Sequence, residues 1–361
     1  MNTEKCMHFI APGPIAGAEK VVLTGCHALM QQGMQVTLGV IHETRFPKIG
    51  TEFCRAAQDL NIPTVDFYAA SAIDFGLKEQ LEIFWESYPA GIIHAHGFKA
   101  ITYCFLTKKT THKLVVHQHG HTSHTLKVKI YEKLESLLLN RCDRVIPVSL
   151  EMSEALKKIG IRPEKICTIQ NMVAIKDIEK YPQSPKKERA PIRLIYVGRL
   201  GQEKGIDLLI HAFKDVAGLY QLRVLGRGPL EHSLKELCKK LKLTKSIEFV
   251  GFQKNVLPFF QEADALIIPS LREGLPMTLL EAMAYGLPIA GTTVGALNSL
   301  VTTNGLLTNP GSSEKLASLL KDFAKNFKKF DKIAKEKAPI VMTEYSAKTW
   351  ATKTLKMYQG L

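Results

Sequence analysis

Two glutamates eight positions apart, Glu273 and Glu281, bracket a Gly-Pro turn in the run Glu273-Gly274-Leu275-Pro276-Met277-Thr278-Leu279-Leu280-Glu281. Carboxylates accept hydrogen bonds from hydroxyls, and a turn that opens a helix offers backbone N–H groups to an anion. The run therefore predicts a loop that holds a phosphate between two groups able to grip a polyhydroxylated ligand. A second run, Val197-Gly198-Arg199-Leu200-Gly201-Gln202-Glu203-Lys204-Gly205-Ile206-Asp207, carries Arg199 and Lys204, two cations expected to converge on the two phosphates of one ligand. Histidines make a third constellation: His94 and His96 before Gly97, then His117, His119 and His121 around Gln118 and Gly120, with His124 just beyond. Residues two apart in a strand share a face, so His94 with His96, and His117 with His119, could each chelate a metal. A zinc or iron hydrolase is thus a competing expectation. Against it, a metal site generally needs a supporting carboxylate or further ligand, and a hydrolase would leave the two loops above without a purpose. The expectation is that no metal is bound.

These residues need elements to position them. Short apolar runs alternate with segments of helical period: Met7 to Pro12 then Ala18 to Gln32, Gln35 to Ile41 then Thr51 to Leu60, Gly91 to His94 then Thr102 to Thr107, Leu114 to His117 then Lys127 to Asn140, and Arg144 to Val148 then Ser153 to Ile159. Strand and helix in repeated alternation imply crossover connections, hence a parallel α/β sheet covered on both faces. Residues 1–173 are expected to form this first domain. From Ala174 to Pro191 the pattern breaks into a proline-containing, charged stretch that reads as a linker. The alternation restarts over 192–342: strands at Ile192 to Val197, Gln221 to Leu225, Ile247 to Val250 and Ala265 to Pro269, and helices at Gly205 to Ala217, Glu231 to Leu241, Asn255 to Glu262 and Leu279 to Tyr285. Residues 343–361 hold an amphipathic stretch, Ser346 to Met357, expected to pack as a terminal helix back on the first domain. A basic face of that helix touching a membrane is the alternative.

At 361 residues the chain is too long for one ordinary core, which agrees with two domains. Its 48 Lys and Arg against 34 Asp and Glu leave a net charge of +14, an attraction to nucleic acid, anionic lipid or a phosphorylated small molecule. No aromatic-interleaved basic motif of a nucleic-acid module is present, so nucleic acid is not expected as a partner. Nine lysines face four acids from Asp322 to Leu361, a bias that favours an anionic membrane surface. Seven scattered cysteines without a CxxC pair argue against a disulfide framework and fit a reducing cytoplasm. The N-terminus lacks the apolar core of a signal peptide, and no run of about 18 apolar residues occurs, so the expectation is a cytoplasmic protein, peripheral at most on the inner face of the membrane.

The run from Glu273 to Glu281, with Glu-Ala-Met-Ala-Tyr-Gly-Leu-Pro-Ile-Ala from Glu281 onward, resembles the retaining GT-B glycosyltransferases that carry the E-x7-E motif, glycosyl transferases group 1 or glycosyltransferase family four. The resemblance implies two Rossmann-like domains facing across a cleft, with the nucleotide-sugar donor on the second. It implies that Glu273 contacts hydroxyls of the donor sugar, that Glu281 binds the ribose, that Gly274, Leu275, Pro276, Met277, Thr278 and Leu279 line the donor, and that Arg199 and Lys204 hold the diphosphate as it leaves. Leu225-Gly226-Arg227-Gly228-Pro229 resembles the family's Gly-x-Gly-Pro turn, and Val250 to Val256, with Phe252, its stretch beside the nucleobase. Pro12 to Glu19 resembles its Gly-Gly-x-Glu loop with Ala16 for the first Gly, so Gly17 is expected to donate its N–H to the distal phosphate. His119, with His117 as fallback, matches the His that faces the donor sugar; His96 matches a His-Gly turn nearer the acceptor. Val145 to Ser149 and Ile169 to Val173 also match, with Met172 where Gly is usual. At Gly295 to Ser299 the family commonly has Gly-Gly-x-x-Glu, so here the Glu273 loop lacks one support.

The resemblance implies a retaining, metal-independent transfer with no cofactor beyond the nucleotide sugar, a UDP-sugar being favoured. Fixed cations can stabilise a departing diphosphate in place of a metal, and no Asp-x-Asp motif is present. Taken with the charge, the expected acceptor is a saccharide or lipid-linked saccharide of envelope polysaccharide synthesis: lipopolysaccharide, capsule, O-antigen or exopolysaccharide. Two rivals share the architecture, a nucleotide-sugar epimerase and a noncatalytic sugar-nucleotide-binding subunit.

Overall fold

The computed structural model describes residues 5–71, 73–88, 91–119, 137–173, 178 and 191–361. The expected linker apart from Ile178 and Pro191, most of the expected helix from Lys127 to Asn140, and Gly120, His121 and His124 lie outside them. The chain divides into two compact units, one of Met1–Met172 with Ala347–Leu361 and one of Val173–Ser346.

In the first unit, β1 (Lys5–Ile10), β2 (Gln35–Glu43), β3 (Thr64–Ala69), β4 (Ile92–His96), β5 (Lys113–Gln118) and β6 (Arg144–Pro147) form a parallel sheet in the order β3-β2-β1-β4-β5-β6. The helices are α1 (Gly17–Gln31), α2 (Pro47–Asp59), α3 (Phe75–Ser87), α4 (Phe98–Thr107) and α5 (Leu150–Lys158). Sequence reading passes over β3 and α3. β3 is an edge strand with alternating exposure, so it lacks the continuous apolar run of its buried neighbours. Met7, Phe9, Phe67, Leu77, Leu81 and Trp85 join one core with residues of β4, α4 and β5. Asp74 caps α3 by accepting from Leu77 N–H at 3.0 Å, and Ser149 caps α5 by accepting from Met152 N–H at 3.1 Å.

The second unit repeats the plan: β7 (Ile192–Val197), β8 (Tyr220–Leu225), β9 (Ile247–Gly251), β10 (Ala265–Ile268), β11 (Ile289–Thr292) and β12 (Gly305–Thr308) in the order β12-β11-β10-β7-β8-β9, all parallel. Its helices are α6 (Ile206–Phe213), α7 (Glu231–Lys240), α8 (Leu257–Glu262), α9 (Met277–Ala284), α10 (Leu297–Leu300), α11 (Ser313–Lys325) and α12 (Phe327–Glu344). Both sheets therefore reverse direction between two neighbouring strands, β1 with β4 and β7 with β10. In open α/β sheets such reversals are where ligands bind, outside the carboxyl ends of the strands.

The last helix, α13 (Ala347–Gln359), belongs to the first unit. It lies so close to α1 that a Cβ on Gly25 would come within 2.8 Å of the Trp350 ring. Trp350, Met357 and Tyr358 are all buried, so the apolar face of α13 is occupied by packing and only its lysine-bearing face meets solvent.

Candidate functional site

The loops after β7 and β10 lie at the reversal of the second sheet, and their side chains meet. Lys204 Nζ donates to Glu273 Oε1 at 2.7 Å, with the two side chains 17% and 10% exposed, and Ser270 Oγ donates to the same oxygen at 2.7 Å. The Ser270 carbonyl in turn accepts from Thr292 Oγ1 on β11 at 2.5 Å. Glu273 is thus held by Lys204 and Ser270, with Thr292 securing Ser270, and sequence reasoning missed Ser270 and Thr292 because neither lies in a motif. Arg199 is not joined to Lys204. Its guanidinium donates to Glu203 Oε1 at 2.8 Å, and its carbonyl accepts from Tyr196 Oη at 3.0 Å. The two expected anion-binding cations each rest on a carboxylate, and a bound diphosphate would compete for them.

The Glu273 loop lacks the glutamate usual in the family but is braced by backbone instead. Gly295 takes φ +48°, and a Cβ there would fall 2.4 Å from the carbonyl oxygens of both Glu273 and Gly274. That close approach lets Ala296 N–H donate to the Gly274 carbonyl at 2.9 Å. The helix α9 begins at Met277, two residues before the expected Leu279, with Pro276 as its cap. Leu279 N–H reaches the Pro276 carbonyl at 3.1 Å, so the N–H groups of Met277 and Thr278 fall in the turn that precedes the ladder, as an anion site requires. Glu281 stands one helical turn further on.

Beside them Gly226 takes φ +140°, and a Cβ there would overlap the Gly198 carbonyl at 1.9 Å. Its lack of a side chain is therefore what lets the turns after β7 and β8 touch. Phe252, expected near a base, is exposed.

In the first unit Gly17 opens α1 after the extended Ala16. The loop is shaped by Glu19, whose carboxylate accepts from Gly13 N–H at 2.9 Å and from Ala16 N–H at 3.3 Å. The histidines lie at the carboxyl ends of β1, β4 and β5, on one face of the sheet, and their rings stack: His94 on His96 at 4.6 Å between centroids, His117 on His119 at 4.5 Å. His8 on β1, which the sequence did not single out, joins them, with Nδ1 2.9 Å from His96 Nε2. Two triads, His8 with His94 and His96, and His96 with His117 and His119, place ligand nitrogens within 4.8 Å of one another. Burial holds His8 down to about 3 and His119 to about 4; it also holds His94, His96 and His117 well below the usual histidine range, and neighbouring imidazoles add to the effect. The cluster is neutral at pH 7. His96, expected nearer the acceptor, and His117, expected as the fallback toward the donor sugar, are 2% and 1% exposed, and both ring nitrogens of His96 are engaged within the cluster.

A paired Rossmann fold with a cation and a carboxylate at its switch point is that of the GT-B glycosyltransferases. The fold of Anabaena Alr3699/HepE, solved in complex with UDP-glucose, matches with a TM-score of 0.84 over 99% of this chain and 100% of that one, at 22% identity. Residues 15–177 match Glycosyltransferase Family 4 and residues 177–339 match Glycosyl transferases group 1. The chain belongs to this glycosyltransferase family. Among curated relatives, the putative colanic acid biosynthesis glycosyltransferase WcaL of Salmonella typhimurium is 31% identical over 202 residues, 52% of this chain and 49% of that protein. The amylovoran biosynthesis glycosyltransferase AmsK of Erwinia amylovora is 33% identical over 190 residues, 49% of this chain and 46% of that protein. The chain spans about half the length of these relatives.

Proposed function

We propose that this protein is a retaining glycosyltransferase that moves a sugar from a nucleotide-diphosphate sugar, a UDP-sugar being favoured, to a saccharide or lipid-linked saccharide in envelope polysaccharide synthesis. The observation that carries the reading is the bond from Lys204 to Glu273 at the switch point of the second sheet, with the start of α9 beside it. Glu273, fixed by Ser270, is suited to accept hydroxyl hydrogen bonds from a sugar. Lys204, Arg199 and the first N–H groups of α9 are suited to a diphosphate, and stabilising that group as it departs is the largest contribution this chain would make to the rate. Glu281 is assigned to the ribose and Phe252 to the base. For Gly17 and His119 the roles implied by the resemblance are retained, an N–H toward phosphate and an imidazole toward sugar.

Because fixed cations supply the charge, the transfer is proposed to need no divalent metal. The names of WcaL and AmsK support the polysaccharide assignment. For the membrane, support comes from the charge of +14 and from Phe46, Ile73 and Phe75, exposed apolar side chains that follow the carboxyl ends of β2 and β3. No described helix is long and apolar enough to cross a membrane, so a surface contact at the inner face of the cytoplasmic membrane is proposed.

The test is a thermal-shift screen with UDP, GDP and ADP and their sugars, followed by product analysis with the stabilising donor and undecaprenyl-linked saccharides, with and without EDTA. Stabilisation by one nucleotide and an anomerically retained product at an EDTA-independent rate are expected. Epimerised free nucleotide sugar formed without an acceptor would overturn transfer, and loss of activity in EDTA would overturn metal independence. Failure to bind anionic vesicles at low salt would remove the membrane contact.

A further inference from the structure

Six side chains of the first unit, five of them buried and His119 half-buried, form a single hydrogen-bonded line. From one end it runs His119 Nε2 to His96 Nδ1 (3.1 Å), His96 Nε2 to His8 Nδ1 (2.9 Å), His8 Nε2 to Tyr358 Oη (3.3 Å), Tyr358 Oη to His94 Nδ1 (2.5 Å), and His94 Nε2 to His117 Nδ1 (3.3 Å). The terminal atoms, His119 Nδ1 and His117 Nε2, are buried and have no hydrogen-bond partner among the described residues. Every link pairs the δ nitrogen of one ring with the ε nitrogen of another or with the phenol.

A neutral imidazole has one N–H and one bare nitrogen, so each ring in such a line must receive at one nitrogen and donate at the other. Three arrangements satisfy every link. In one, all five histidines carry their proton on Nε2; in the second, all five carry it on Nδ1. In the third, the phenol proton is given to the Cys6 sulfur, and the ring proton lies on Nε2 of His8, His96 and His119 and on Nδ1 of His94 and His117. Tyr358 decides between them. Its contact with His94 is the short one, as an O–H donor gives, while its contact with His8 has the length of a weaker N–H···O bond. The phenol therefore donates to His94 Nδ1 and accepts from His8 Nε2. The Cys6 sulfur also lies within hydrogen-bonding reach of the phenol.

We propose that this line is a tautomer relay, in which Tyr358, His8 and His96 act as positioning residues that keep the proton of His119 on Nε2. His119 then presents Nδ1 as a hydrogen-bond acceptor, suited to a hydroxyl of the bound sugar. This rests on the donor-side role proposed for His119. The line also speaks against the competing reading of a metal centre: His96 is common to both histidine triads, and both of its ring nitrogens are already engaged within the line.

The test is 15N NMR of the full chain labelled at its histidine rings, at pH 7, in which protonated and bare ring nitrogens resonate far apart. The expected result is one common tautomer, Nε2–H, for His8, His94, His96, His117 and His119. Any ring of the five in the Nδ1–H form would overturn the relay, as would positively charged rings. In Tyr358→Phe the links to His8 and His94 are lost, and at least one of these two rings is expected to populate the other tautomer; an unchanged set would show that the phenol does not set the polarity. Zinc chloride added to the wild-type chain is expected to leave the ring nitrogen shifts unmoved, and a metal-bound shift at these rings would establish the metal site instead. Addition of UDP-glucose tests the link to function separately. A shift at His119 Nδ1 is expected, and its absence with the common tautomer intact would refute the donor-side role while leaving the relay standing.

Discussion

Removing Lys204 and Glu273 singly and together should expose how much the second unit relies on their contact. At 2.7 Å, an effective dielectric of about 20 gives a gross attraction of ~6 kcal/mol. Desolvation of the two charges offsets most of that, so the net stability of the pair is small, while a lone survivor carries an uncompensated penalty. The side chains keep 17% and 10% exposure, which places each single loss at about 2–3 kcal/mol, on the low side of the range for buried pairs. Lys204→Met should cost more than Glu273→Gln, because Gln retains an oxygen that accepts from Lys204 and from Ser270 Oγ. The double variant should cost less than the sum, with a coupling of about 2 kcal/mol. Both tryptophans, Trp85 and Trp350, belong to the first unit, so their fluorescence does not report on this pair. Differential scanning calorimetry, which does not depend on the tryptophans, is the assay. Additive costs would refute the reasoning, since they would mean that neither charge depends on the other.

The buried histidines make stability depend on pH. Their folded pKa values lie below the ordinary 6.5, so the unfolded chain binds more protons. Stability is therefore full above about 6.5 and falls as the pH drops through the window toward about 4, with a slope of ~1.4 kcal/mol per pH unit for each histidine kept neutral. Tryptophan fluorescence should show the first unit melting progressively earlier between pH 6.5 and 5, and a flat profile there would contradict the burial. Gly226→Ala should destabilise the second unit by about 3 kcal/mol, since it combines a strained φ with overlap of the Gly198 carbonyl; calorimetry within 0.5 kcal/mol of wild type would disprove the close approach. Glu273→Gln should leave UDP affinity equal or tighter, because Lys204 is less neutralised, yet lower transfer by about 100-fold or more. Isothermal titration with UDP and initial rates separate the two effects, and an unchanged rate would refute the role of the carboxylate.

The sequence by itself determined that both units are parallel α/β sheets and where the Lys204 and Glu273 loops fall. Alternating apolar runs can be read locally, because a buried parallel strand such as Ala265–Ile268 is apolar along its whole length and its crossover helix shows its own period. The Glu273 to Glu281 run is equally local, since one turn and one helix start set its geometry. Reading failed at the edge strand Thr64–Ala69, whose alternation is interrupted by polar residues, and at Ser270 and Thr292, whose value lies in which loops the sheet brings side by side. The histidines show the same division. That residues two apart share a strand face is legible, and it places His94 with His96 and His117 with His119. That His8 from β1 and Tyr358 from the last helix close these pairs into one line, and that His96 and His117 are buried, follows from strand order and the docking of α13. Contacts between residues 350 positions apart, like that of His8 with Tyr358, leave no periodic trace in a sequence, because they are fixed only when separate elements pack.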